Sequence, residues 1–228
     1  MSIFGGTMGY MEFFHLLNRG VDKRKVFLDE VDYVRFLHDC YVFNDTADVN
    51  PNHRLRGGSG AEGEHIRTPL VALHAFALMP NHYHMLVSEL EEGGMSLFMR
   101  KLNMGYAKYF NKKYERSGVL WQGTFKKVLI QRDAHFMYIP YYIHLNPLDM
   151  AFPLWRTGRI QNTKKALNYL QKYRWSSFMD YNKIPNMPSL ITQKHLGPIL
   201  DSPKNQAREI KRIISNSTLT QQADLLEG

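Results

Sequence analysis

The chain alternates between compact apolar blocks and polar, Gly- or Pro-marked breaks. "YMEFFHLLNRG" (10–20) is short, aromatic and apolar and ends on Asn18-Arg19-Gly20, which predicts a first strand closed by a turn. In "DEVDYVRFLHDCYVF" (29–43), Val31, Val34, Phe36, Leu37 and Tyr41 recur at helical spacing, with Asp29 placed to cap a first helix. Residues 44–69 are polar and glycine-rich and predict a loop. "LVALHAFALM" (70–79) and "HYHMLVSEL" (82–90) predict two strands joined by a tight turn at Pro80-Asn81. "SLFMRKLNMGYAKYFNKKY" (96–114) sets Phe98, Leu102, Tyr106 and Tyr109 on one stripe, a second helix with Ser96 as its cap. A fourth strand is expected over 119–131. A third helix follows over 133–147, capped by Asp133 and stopped before Pro147.

Strand, helix, strand, strand, helix, strand and a further helix make a split β-α-β pattern of the ferredoxin-like type. The expected class is α+β, with one antiparallel sheet, helices on one face, and a C-terminal extension over 182–228.

Two histidines interrupt this scheme. In "LMPNHYHMLVSE" (78–89), His82 and His84 lie two apart on a predicted strand, so both project from one face and Tyr83 from the other. Neutral imidazoles so placed can share a divalent cation, or they can line the sheet without one. In "YYIHLNP", Tyr142 and Asn146 are four apart and share a helical face. Asn146 can offer an amide oxygen to a metal or close the helix end, and Tyr142 beside it is a candidate nucleophile. Pro140, two residues before Tyr142, is expected to kink that helix.

Charge adds a partner class. The 228 residues carry a formal net charge of +8, and the pI is about 9.5, which suits a polyanion such as nucleic acid. Arg19, Lys23 and Arg24 follow the first strand, Lys101, Lys108 and Lys112 lie on the second helix, and Lys126 and Lys127 on the fourth strand; these are the expected phosphate contacts. Trp121, with Phe125 and Trp175, is a candidate stacking platform for unpaired bases. The single cysteine, Cys40, excludes an internal disulfide and favours a reducing, cytoplasmic setting. No apolar run is long enough for a membrane span, and no charged segment precedes the apolar N-terminus as in a signal peptide.

These motifs resemble a known family. "MPNHYHMLV" is similar to the histidine–hydrophobe–histidine (HUH) motif of single-tyrosine transposases, with Tyr83 where an aliphatic residue is usual. "YIHLNP", followed by "WSSF" and Tyr181, resembles the branch called REP-associated tyrosine transposases. "FHLLNRGVDKRKVF" and "LNMGYAKYFNKKYERSGVLWQGTFK" fit the same pattern. The resemblance implies a transposase domain over 1–181, with the Gly-rich loop 44–69 as an insertion. It implies His82, His84 and Asn146 as metal ligands, Mg²⁺ or Mn²⁺ as the ion, and Tyr142 as the nucleophile, with Tyr138 and Tyr141 as alternatives. It also implies cleavage and rejoining of single-stranded or hairpin DNA through a 5′-phosphotyrosine, by a monomer or a homodimer. His144 is a candidate base. Two other functions share parts of the pattern: an HUH nicking enzyme for replication or conjugation, and a non-catalytic DNA-binding regulator on the same scaffold.

Overall fold

The computed structural model describes residues 11–47, 67–158, 160 and 162–216. Four strands, β1 (Phe13–Arg19), β2 (Val71–Met79), β3 (His82–Glu89) and β4 (Lys126–Leu129), form one sheet in the order β2-β3-β1-β4. Every pairing is antiparallel. With α1 (Glu30–Phe43) between β1 and β2 and α2 (Gly94–Lys113) between β3 and β4, this is the expected split β-α-β topology. Asp29 caps α1 in a reciprocal box with Asp32.

Several boundaries differ from the sequence pattern for local reasons. α2 starts at Gly94 behind Gly93, whose φ of 70° is the left-handed turn that launches it, so Ser96 lies inside the helix and is not its cap. The strand expected over 119–131 is paired as β4 only from Lys126 to Leu129, with one bridge between Gly20 and Trp121 ahead of it. Gln122-Gly123-Thr124 breaks the run. The third helix, α3 (Asp133–Leu145), has Arg132 as N-cap with Asp133 in its first turn, and it continues through Pro140 without a break. Of the loop expected over 44–69, residues 48–66 lie outside the described residues. Its two ends are clasped by Asn44, whose side chain accepts from Leu70 N and Val71 N at 2.9 Å and donates to Val71 O at 2.8 Å.

The helices expected on one face are divided between two. Tyr83, Met85 and Val87 of β3 join Phe14 and Leu16 of β1 in a core under α1 and α2. Leu86, Phe13, Ala75 and Ala77 face the other way, into a second core closed by α3. The cause is compositional. β2 is apolar at nearly every position and is buried along all nine residues, the pattern of a strand covered on both sides.

The second core continues past α3. Short α4 (Leu148–Ala151), α5 (Thr163–Leu170), α6 (Phe178–Tyr181) and α7 (Pro203–Ile214) follow. They and the segments between them contribute Trp155, Leu170, Phe178, Leu196 and Ile210 to it. The "WSSF" stretch runs along the outer edge of β2: Leu78 N donates to Trp175 O (2.9 Å), and Ser177 N to Phe76 O (3.0 Å). Among the described residues no helix is long and apolar enough to cross a membrane.

His74 of β2 gives this layering a pH signature. It is fully buried, within hydrogen-bond distance of Ser88 Oγ (2.8 Å) and Thr192 O (3.2 Å). Burial lowers its pKa to about 4. Below an unfolded-state value of about 6.5 the unfolded chain takes up a proton that the folded chain refuses until about pH 4, so stability falls as pH falls through this window. In urea unfolding at pH 7 and pH 5, His74→Gln should lose about 2 kcal/mol less than the wild type. Equal acid losses in the two proteins would show that His74 does not titrate this way.

Candidate active site on the histidine face of the sheet

β3 delivers its two histidines toward α3 because its alternate residues, Tyr83 and Met85, are claimed by the core under α1 and α2. His84 has no exposed surface. The ring centroids of His82 and His84 lie 5.0 Å apart, nearly perpendicular. His82 Nδ1 donates to Asn81 Oδ1 (2.6 Å), so the lone pair of a neutral His82 resides on Nε2. His84 Nδ1 is 2.9 Å from Nε2 of a third histidine, His15 of β1. Burial first, then the neighbouring His82, His15, Arg156 and Arg19, hold the His84 imidazole well below the ordinary histidine range, so it is neutral. Its Nε2 is buried with no hydrogen-bond partner.

Tyr142 projects from α3 onto this group. Its ring meets His84 edge-on at 5.7 Å and His15 edge-on at 5.8 Å. Tyr141 faces elsewhere, with its hydroxyl donating to Ile199 O (3.3 Å). Tyr138 lies one turn earlier, 6.4 Å from the Tyr142 ring, its hydroxyl buried without a hydrogen-bond partner and its pKa pushed up to about 12 by burial. Of the three tyrosines, Tyr142 is the one whose ring packs on the histidine cluster. His144, a candidate base on sequence grounds, is instead an anchor. It is wholly buried against Phe178 and Tyr181, and its Nε2 is 2.8 Å from Ser177 Oγ.

Asn146 follows α3 as its C-cap residue, and its Nδ2 reaches back to Tyr142 O (2.9 Å). Its Oδ1, the atom a metal would use, accepts from Arg156 Nη2 (2.8 Å). Arg156 is gripped by Asp149 through Nε (3.0 Å) and Nη2 (2.9 Å), and its guanidinium lies 5.5 Å from the centre of the Tyr142 ring. Burial opposes the Arg156 charge, but hydrogen bonds and the charge of Asp149, with a further bond to Tyr142, outweigh it and raise its pKa. Arg156 and His15 were not singled out in the sequence. His15 left a signal, a lone imidazole inside the apolar strand "FFHLL". Arg156 left none, since its partners come together only in the folded chain.

The cations expected to grip DNA do not converge. Leu17 pairs with both His84 and Lys126, and Arg19 with His82, so Arg19 and Lys126 stand on the histidine face. They line a groove of about 380 Å³ with Leu17, Asn18, Gln122, Gly123 and Thr124. Lys127 points to the opposite face, over the Phe14 ring. Lys101 Nζ donates to the carbonyls of Asp45 and Ala47 at 3.1 Å, tying α2 to the loop after α1. Lys108 and Lys112 are exposed on α2, across the sheet from the histidines, while Lys23 and Arg24 are exposed in the turn after β1. Trp121, expected to stack on bases, is a core residue: 8% exposed, it packs on Tyr83 (5.4 Å) and Tyr106 (6.0 Å), and its Nε1 donates to Asn103 O (3.1 Å). Its apolar surroundings in "VLWQGTF" suit an interior ring as well as a stacking one.

Comparison with known proteins bears on the same segment. Residues 64–146 match the family model described as "Transposase IS200 like". That span carries the IS200-like transposase pattern. It includes β2, β3, α2, β4 and α3, and with them His82, His84, Tyr142 and Asn146. A solved structure described as "Structure of the REP associates tyrosine transposase bound to a REP hairpin" is similar at 14% identity and a TM-score of 0.47, covering 79% of this chain and 84% of that one. A search of curated proteins gives no match.

The residues present fit a divalent ion. An orphaned, neutral nitrogen, His84 Nε2, lies beside a second neutral-capable imidazole, His82. Among the described residues no group of three or more His, Cys, Asp and Glu could hold a metal, so further ligands would be of another kind, and the Asn146 amide is of that kind. The placement of Trp121 gives a direct check. Trp121→Ala should lower stability by about 3–5 kcal/mol in urea unfolding. A loss below about 1 kcal/mol together with weakened DNA binding would instead make Trp121 a surface platform.

Proposed function

We propose that this chain is a single-tyrosine transposase that cuts and rejoins single-stranded DNA beside a hairpin, with Tyr142 as nucleophile. The observation that carries the proposal is the packing of Tyr142 on His84, itself against His82, on one sheet face, inside the segment that matches the IS200-like family. Its parts have separable tasks. Nucleophilic attack on a phosphodiester needs an oxygen that reaches phosphorus in line with the leaving 3′ oxygen, and Tyr142 offers the phenol. The new bond joins Tyr142 Oη to phosphorus as the bond to the 3′ oxygen breaks. The proton lost by the phenol is balanced by the one the departing 3′ oxygen takes up. The products are a 5′-phosphotyrosine and a free 3′-OH, and a second 3′-OH can reverse the step at a new junction without an outside energy source.

His82 and His84 would hold Mg²⁺ or Mn²⁺, with Asn146 joining them once its oxygen is released from Arg156. When bound, the ion neutralises charge on the non-bridging phosphate oxygens. Arg19 and Lys126 line the groove beside the histidines and would take the adjoining phosphates, so binding should weaken with salt. Tyr142 has no exposed surface, which makes access by a DNA strand conditional on movement of what covers it.

The test is a labelled single-stranded hairpin incubated with the protein and Mn²⁺, resolved on a denaturing gel. A covalent protein–DNA band should form, disappear in Tyr142→Phe and on chelation, and persist in Tyr138→Phe. A band that survives Tyr142→Phe, or no band with any hairpin substrate, overturns the assignment.

A further inference from the structure

A third histidine stands behind the pair. In the β1–β3 register His15 pairs with Leu86, and Leu17 with His84. His15 and His84 are therefore diagonal neighbours on one face, a separation that side chains of this length span. Their ring planes are within 14° of parallel, and His15 Nε2 is 2.9 Å from His84 Nδ1. Both residues are wholly buried.

One hydrogen bond between the two rings has two possible senses. If His15 donates, the remaining proton of His84 sits on Nε2, a buried N–H with no acceptor and no lone pair for an ion. If His84 donates, its Nε2 carries a bare lone pair, on a ring that both His82 and Tyr142 meet edge-on. The second sense is the one a metal ligand requires, because the ring nitrogen that binds the ion must carry no proton.

We infer that His15 is a positioning residue of the metal centre: it accepts the Nδ1 proton of His84, fixes the ring in its slot, and so presents Nε2 as a ready ligand. This rests on the metal-site assignment for His82 and His84. It adds a second layer of ligand support from a different strand, outside the segment that matches the family model.

Two measurements on the full chain test it, one without metal. Long-range ¹H–¹⁵N spectra of the metal-free protein should show His84 protonated at Nδ1, and an Nε2–H tautomer overturns the inference. Mn²⁺ titration, followed by the loss of the free-ion paramagnetic resonance signal, should then show His15→Phe binding about 10–100-fold more weakly than wild type. His15→Gln, which keeps an acceptor at that reach, should recover most of the affinity. Circular dichroism verifies folding, and His15→Met replaces His15→Phe if the larger ring is not accommodated. A folded apolar variant with wild-type affinity, or a folded His15→Gln as weak as the apolar one, overturns the role of His15. His84→Ala separates the two levels. Undiminished Mn²⁺ binding in that variant defeats the metal-site assignment itself, whereas a weakened His84→Ala beside an unaffected His15→Phe defeats the role of His15 alone.

Discussion

The register between β1 and β3 is the constraint on which the site depends. Strand side chains alternate with a period of two, so a slip of one residue exchanges faces for a whole strand. Here a slip would drive His82 and His84 into the core under α1 and α2, and turn Tyr83, Met85 and Val87 toward α3. Both faces are buried, so both cores resist it. Tyr83 is the firmest peg. Its ring is enclosed by Phe36 and Trp121, and its hydroxyl donates to Asn103 Oδ1 (2.8 Å). A large residue at the middle position of the histidine pair therefore holds the two imidazoles to the opposite side.

The second requirement is a fixed seat for α3. His144 and Ser177 connect it to the "WSSF" stretch, and Ser177 in turn accepts from Phe76 N on β2 (3.0 Å). The motif acts through the sheet edge and the helix rather than by touching the histidines. Beyond the end of α3, Asp149, Arg156 and Asn146 form a polar knot whose charge lies over the Tyr142 ring. The knot holds the Asn146 oxygen and sets a guanidinium against the Tyr142 ring at once.

Much of this could be read from residue order, and the losses have physical causes. Helical and strand periodicity located the elements, since burial of one face or two is written into local spacing. His82, His84, Tyr142 and Asn146 stood out by spacing, which puts each pair on one face of its element, and by their likeness to a known motif. The division of helices between two faces was present in the unbroken apolar run of β2, where the expected alternation of a half-buried strand is missing. Arg156 and the fate of Trp121 depend on tertiary neighbours from distant parts of the chain, which no local pattern encodes. The lysines were misleading as a group. Charge counts do not record on which side of a sheet each residue emerges, and Lys126 and Lys127, adjacent in sequence, emerge on opposite sides.

The sheet has two outer edges, and they are treated differently. The β2 edge is occupied by residues 175–177 and by Thr192, whose N–H donates to Leu73 O (2.7 Å). The β4 edge is left with a strand of four residues, two of them exposed lysines. An open strand edge invites another chain to add itself in register, and short, charged edges discourage this. Two copies of this protein approaching there would bring like charges together, while a phosphate backbone would meet charges of opposite sign. The same two lysines thus make that edge a poor template for a second copy of the chain.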